Sequence, residues 1–514
     1  MLAHQGHTIL HLTRHCGMEH GKDVITTDGE GMVCAFQLKK ADGKIKLSKW
    51  QNELLGQVMQ LVYSPVAHPS VKDYSSHHHS YFVTNGEFEE EVFREIDLLN
   101  KDWVFKGQPQ YKINTIVKGQ LLNWANELKT DLLPTEIRDF KLLLEFYLAS
   151  GQGILDREKF ARLLDSHFER KTKSASQSRR IISSGALLCC IATSTFTNHE
   201  NHIATAEAWI MFTSYLMKFC EVNKLTLPAY RNELEICRQI ITNSIKNSFE
   251  EAASARHLVV GNPFHDVFVY KPRVTYLIGF YAGLALHELI TASSDASVLQ
   301  SIRSFIEKHD DDIELWGESA VPCCLNYYWL QKTSLQENRS KHLLRSITGT
   351  VIHSHRDRKS VFPDPYYDID EALSAGFEEN EEKKAGKSRK GFSYYLESLL
   401  MLCVKENDRE FVASEWFDIT KIFFSTFELL VQEDFFSFRC AEGKEVFKTP
   451  VQTESWHRLQ KMAHEDFQDS GLCEIFKNNR WFYPFFFLLF PHRVSTACTL
   501  WFDRQFPASA DLAE

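Results

Sequence analysis

Two short apolar runs flank four turn-forming residues near the amino end, and this pattern narrows the fold more than any other stretch. Val24 to Thr27 is β-branched at every position. Met32 to Lys39 is apolar with a polar end. Between them lies Asp28-Gly29-Glu30-Gly31. Glycine reaches backbone conformations closed to other residues, and aspartate bonds to its own backbone, so this is turn chemistry. The two runs are expected to be the arms of a β-hairpin.

The segments that follow keep switching period. Trp50, Leu54, Leu55, Val58, Leu61 and Val62 recur at helical spacing. Tyr81-Phe82-Val83-Thr84 reads as a strand, stopped by Asn85-Gly86. Glu87 to Asn100 returns to helix, with Phe88, Val92, Phe93, Ile96 and Leu99 on one stripe. Ile113 to Val117 is another strand and Leu121 to Leu132 another helix. Residues 1–132 are therefore expected to be a mixed α/β domain.

Beyond them the pattern is helical, with amphipathic segments at Glu136 to Leu148, Arg157 to Phe168, Ala204 to Val222 and Ser393 to Val404. The whole reads as an α+β protein: a mixed sheet first, then a large and mostly α-helical region. A chain of 514 residues exceeds one ordinary core. We expect a helical domain at 133–367, a charged linker at 368–392 and a second helical domain at 393–514. The linker carries Glu378, Glu379, Glu381 and Glu382, then Lys383, Lys384, Lys387, Arg389 and Lys390. Such blocks are usually solvated. Lys171 to Arg180, basic and Ser-rich, reads as a second linker. No repeat of fixed period is present.

Composition removes several classes. A net charge of −10 argues against a chain coated in nucleic acid, though not against a local basic groove. The longest apolar stretch, Val274 to Leu286, is cut by His287 and Glu288, short of the ~20 residues a membrane span needs. No signal peptide is expected behind the His-rich start. The 12 cysteines form no CxxC pair, which suggests reduced thiols in a cytoplasm and gives no zinc pattern.

The chemistry concentrates in Glu19-His20-Gly21-Lys22-Asp23 and Gln37-Leu38-Lys39. Gln37 and Lys39 are two apart on a strand, so they share a face. The hairpin brings Asp23 to them, and Gly21 permits close backbone approach. Hydrolysis of a phosphodiester needs charge neutralisation and an activated water, and a divalent ion supplies both. Magnesium takes oxygen ligands from one or two carboxylates plus waters and substrate. Asp23 offers a carboxylate, Gln37 a side-chain oxygen and Leu38 a backbone carbonyl. Lys39 is suited to orient the water or to stabilise developing charge.

Asp23…Gln37-Leu38-Lys39 resembles the D…QxK variant of the PD-(D/E)xK, restriction-endonuclease-like superfamily, close to its Mrr-like branch. The Glu-His-Gly-Lys-Asp-Val-Ile lead-in fits, as does the later Tyr81 to Gly86 strand and turn. The resemblance covers about a quarter of the chain. It implies a mixed sheet flanked by helices and Mg²⁺- or Mn²⁺-dependent cleavage of DNA by Asp23, Gln37, Lys39 and Glu19. Members carry a Glu in a helix ahead of the first strand. Here Glu19, four residues before Asp23, would substitute, or an upstream extension would supply it. Gln37 stands where most members have an acid, so the site carries one charge fewer.

Flanking residues extend the reading. His20 is a candidate substrate contact. Lys40, Lys44 and Lys49, with Lys46, are candidate phosphate contacts or simply a solvated hairpin face. The remaining histidines near the start, and His77-His78-His79, lack the carboxylate pattern of a metal site. Arg162 and His167 match the Arg-x4-His pattern of HEPN-type ribonucleases, a spacing that chance supplies readily. His353, His355, Arg356, Asp357 and Arg358 read as a surface loop rather than a phosphate contact, and Trp481 to Phe490 as core. The leading expectation is a prokaryotic Mg²⁺-dependent DNA endonuclease of restriction or anti-phage type. Its helical region would regulate it and take a protein partner or a second copy. The rivals are an inactive nuclease-like scaffold and a HEPN-type ribonuclease.

Overall fold

The computed structural model describes residues 2, 5–12, 21–41, 43–66, 71, 77–132, 137–254, 267–292, 296–334, 337–356, 365–367, 369, 371, 391–439, 443–467 and 471–506. The fold is α+β, as the sequence predicts. Contacts divide it into two compact units, residues 1–153 with 190–195, and residues 154–189 with 196–514.

The first unit is built on a five-stranded mixed sheet: β1 (Thr8–Leu12), β2 (Val24–Thr27), β3 (Val33–Lys39), β5 (His79–Thr84) and β7 (Ile113–Ile116). They lie side by side in the order β1-β2-β3-β5-β7. The β1–β2 and β2–β3 pairs are antiparallel; β3–β5 and β5–β7 are parallel. The predicted hairpin is present. The Asp28 carboxylate accepts the N–H groups of Glu30 and Met32, and Gly31 takes a positive φ of 82°.

Parallel strands need crossovers, and helices supply them. Between β3 and β5 runs a continuous helical segment: Leu47–Lys49, a wide π turn Trp50–Leu54, then α1 (Leu55–Tyr63). Between β5 and β7 runs α2 (Glu90–Phe105), and after β7 comes α3 (Lys118–Leu132). Helices α1 and α2 cover one face, where Val58, Val62, Val92, Ile96 and Trp103 join Trp50 and Phe82 in one core. On the other face Val24, Cys34, Phe36, Val83 and Ile116 pack with Leu121 and Trp124 of α3. Because both faces are covered, Val33 to Gln37 are buried without alternation. A two-residue parallel pair, β4 (Lys44–Ile45) with β6 (Glu87–Phe88), closes the β5 end. There Asn85 accepts the Ala41 N–H, and a Cβ on Gly86 would lie 2.5 Å from the Gly43 carbonyl.

The second unit is mostly helical. Val267–Thr291 packs along Val321–Lys332, and a Cβ on Gly279 would meet the Cys323 side chain at 2.8 Å, so these helices approach closely. Phe485, Phe486 and Phe487 are fully buried, as expected of a core run. Ala175–Asn198 and Tyr270–Thr291 are long and apolar enough to cross a membrane, but 50% and 67% of their most apolar windows are buried inside the fold.

Four expectations need correction. The stretches 133–367 and 393–514 do not separate: from residue 154 onward they belong to one unit. Asn326 bonds the Pro484 carbonyl, and buried Asp503 takes both Lys332 and Lys405. The region 393–514 is not wholly helical, since β8 (Phe392–Ser393), β9 (Phe423–Leu429) and β10 (Gly443–Lys448) form a three-stranded sheet. Lys171 to Arg180 is not a linker throughout, because a helix begins at Ala175. His353 to Arg356 is the end of the helix Glu337–Arg356, not a loop, while residues 357 and 358 lie outside the described residues; His355 is buried with its Nε2 3.2 Å from Glu318 Oε1. Of the expected linker at 368–392, residues 368, 370 and 372–390 lie outside the described residues.

A cavity of about 210 Å³ in this unit is lined by Asp165, Phe168, Tyr215 and Lys218. Burial pushes the Asp165 carboxyl up to about 6, against the opposing pull of Lys218 and the Tyr215 hydroxyl. A folded-state value above the unfolded one means that stability from this group is fully present below pH ~4 and is lost as pH rises through 6. Asp165→Asn removes that loss. Its melting temperature should exceed the parent's by roughly 2 °C at pH 7.5 and match it near pH 4, measured by calorimetry.

Candidate functional site

The start of β2 is irregular. Val24 pairs with Phe36, yet Asp23 N–H also donates to the Phe36 carbonyl, at 2.8 Å. Two residues of β2 thus face one of β3, which is a β-bulge, a device that re-aims a side chain. The Asp23 carboxylate swings to the strand edge, where Oδ2 accepts the Leu38 N–H at 2.6 Å. It therefore sits at the centre of Gln37-Leu38-Lys39. A strand residue directs its N–H and C=O to the same edge, so the Leu38 carbonyl faces the Asp23 side as well.

Gln37 and Lys39 lie on the face covered by α1. Gln37 is only 2% exposed, whereas Lys39 is half-buried. The Gln37 amide donates to Gln57 Oε1 at 3.4 Å, and Gln57 in turn donates to the Glu53 carbonyl of the π turn. Gly21, at φ +75°, leaves room here, since a Cβ on it would lie 3.0 Å from Gln37 Nε2. Gln37 Oε1 is buried without a hydrogen-bond partner among the described residues. So is the ammonium of Lys22, which is 3% exposed and pushed down to about 8 by burial. Buried polar groups are normally paired, so these two orphans mark an unusual place.

The structure thus brings Asp23, Gln37, Leu38 and Lys39 to one end of β3, while the hydrogen bonds of Asp23 and Gln37 go to different partners. Glu19 and His20 lie outside the described residues. Lys40, Lys44 and Lys49 are exposed, and Lys44 lies on β4. One participant escaped the sequence reading, Gln57; Lys22 and Asn85 were read there only as motif and turn residues. Gln57 carried an ambiguous signal: it sits four residues before buried Leu61 but also four after exposed Glu53. Arg162 and His167 do not converge. Arg162 is exposed, while His167 is fully buried, its Nε2 2.8 Å from the Ile181 carbonyl. Among the described residues no disulfide forms. Comparison of the chain with protein-family models, with curated proteins and with solved structures finds no match.

Gly21 gives a direct check on this packing. Gly21→Ala places a side chain in a left-handed backbone conformation and against the Gln37 amide. It should cost about 1–2 kcal/mol of stability in urea unfolding. An unchanged midpoint would mean that residue 21 does not pack on Gln37.

Proposed function

We propose that residues 1–132 form a Mg²⁺-dependent endonuclease domain acting on DNA, with Mn²⁺ as an alternative ion. The single observation that carries this is the position of the Asp23 carboxylate, held by the Leu38 amide midway between Gln37 and Lys39. The donor set suits a hard divalent ion: the Asp23 carboxylate, the Leu38 carbonyl and the otherwise unbonded Gln37 oxygen. When bound, the ion would neutralise phosphate charge and generate hydroxide from water. Lys39 lies two residues along the same face and supplies a positive charge for the departing or attacking oxygen. Exposed Lys40, Lys44 and Lys49 are candidate contacts to the phosphate backbone. Glu19 is the candidate second carboxylate and His20 a candidate substrate contact. The order of hairpin, helix and parallel strand supports the resemblance to the PD-(D/E)xK superfamily. The helical second unit would regulate cutting or bind a partner, in a cytoplasmic defence-type protein.

A second reading has one observation in its favour. Gln37 is nearly sealed from solvent and already holds Gln57, as a scaffold without catalysis would have it. One pair of variants separates the two. Asp23→Asn keeps an acceptor for the Leu38 amide but loses the charge, and Lys39→Ala removes the ammonium. For a nuclease, each should reduce Mg²⁺-dependent DNA cleavage by at least ~10²-fold with unchanged circular dichroism. Asp23→Asn should also abolish saturable Mg²⁺ binding by calorimetry. A parent protein that neither cuts nor binds Mg²⁺ would reject the nuclease in favour of the scaffold.

A further inference from the structure

The other end of the same sheet holds a second cluster of donor atoms. Asp28 ends the β2 side of the hairpin, Cys34 lies within β3, and His79 begins β5. Cys34 and His79 are direct partners in the β3–β5 register. One ligand atom from each of Asp28, Cys34 and His79 lies within 4.8 Å of the other two. A turn residue, a β3 residue and a β5 residue thus present an oxygen, a sulfur and a nitrogen to one point.

We propose that Asp28, Cys34 and His79 bind a zinc-type divalent ion that clamps the hairpin to β5. Thiolate with imidazole is the donor combination of borderline-soft metals, whereas magnesium prefers oxygen alone. Metal–ligand bonds of about 2.0–2.3 Å place tetrahedral ligand atoms roughly 3.3–3.8 Å apart, so a closure of about 1 Å completes the site. The two halves of the cluster have the right mobility for that. Cys34 is fully buried, and its S–H donates to the Met32 carbonyl at 3.7 Å; that proton is released when the sulfur binds the ion. His79 is exposed and can swing inward. Asp28 Oδ1 is occupied by the turn N–H groups, which orients the carboxylate and leaves its second oxygen for the ion. Three protein ligands leave a fourth position for water.

This site is separate from the proposed Mg²⁺ centre. Cys34 packs on the α3 face and Gln37 on the α1 face, three residues or roughly 10 Å further along β3. Its test is therefore independent of nuclease activity. Co²⁺ is the probe, because a cobalt–thiolate bond gives a strong near-ultraviolet charge-transfer band. Titration of the full chain should produce that band with saturation at one equivalent and displacement by Zn²⁺. Cys34→Ser should abolish it. His79→Ala, a change at an exposed position, should weaken Co²⁺ binding by roughly tenfold or more. Cys190→Ser, at an exposed thiol elsewhere, should leave it intact. Absence of the band, or a band unaltered in both Cys34→Ser and His79→Ala, overturns the proposal.

Discussion

The register of β2 against β3 is the constraint on which the first unit depends. Side chains alternate across a sheet, so a slip of one residue would exchange the two faces of the strand. Here that slip would turn Gln37 toward α3 and Cys34 toward α1, and would bury the wrong half of Phe36 and Ala35. The Asp28 carboxylate sets the register at one end by fixing the turn. At the other end, Asp23 locks it by holding the Leu38 amide. Two aspartates that immediately flank a four-residue strand thus decide what every position between them touches.

Much of this arrangement was legible in the residue pattern. The β-branched run, the Asp-Gly-Glu-Gly turn and the strand at Tyr81 to Thr84 each carry a local signal strong enough to survive folding. The grouping of Asp23 with Gln37 and Lys39 followed from alternation and a hairpin. What the pattern hid was long-range. The bulge at Asp23 has no local signature, and the partnership of Gln37 with Gln57 needs the helix to be docked. In the second unit, Phe423, Phe424 and Phe427 fit helical spacing as well as they fit a strand, so β9 was missed. His355 had a readable signal. It continues the buried stripe Leu344, Ile347, Val351 on its helix, but its charged neighbours disguised it.

The second unit shows how polar groups organise a large apolar core. Asp503 is fully buried; desolvation alone would raise its carboxyl, but Lys332 and Lys405 hold it below the usual range. Glu318 is similarly enclosed, accepting from the Ser393 hydroxyl and the Tyr394 N–H. Desolvating such charges offsets most of their attraction, so they add little to net stability. Their value is in selection, because an alternative packing that separates a pair leaves an uncompensated charge in the interior.

The π turn at Trp50–Leu54 has a consequence for how this chain tolerates change in length. A wide turn accommodates one residue more than the α-helical turn it replaces, while the helix on either side keeps its orientation. Deleting one residue there would let the coil tighten and leave Gln57 beneath Gln37. The same deletion inside Leu55–Tyr63 would rotate the remainder by about 100° and carry its apolar stripe off the sheet. The segment therefore has one residue of built-in slack, and the chain can be shortened by that residue without disturbing what lies downstream.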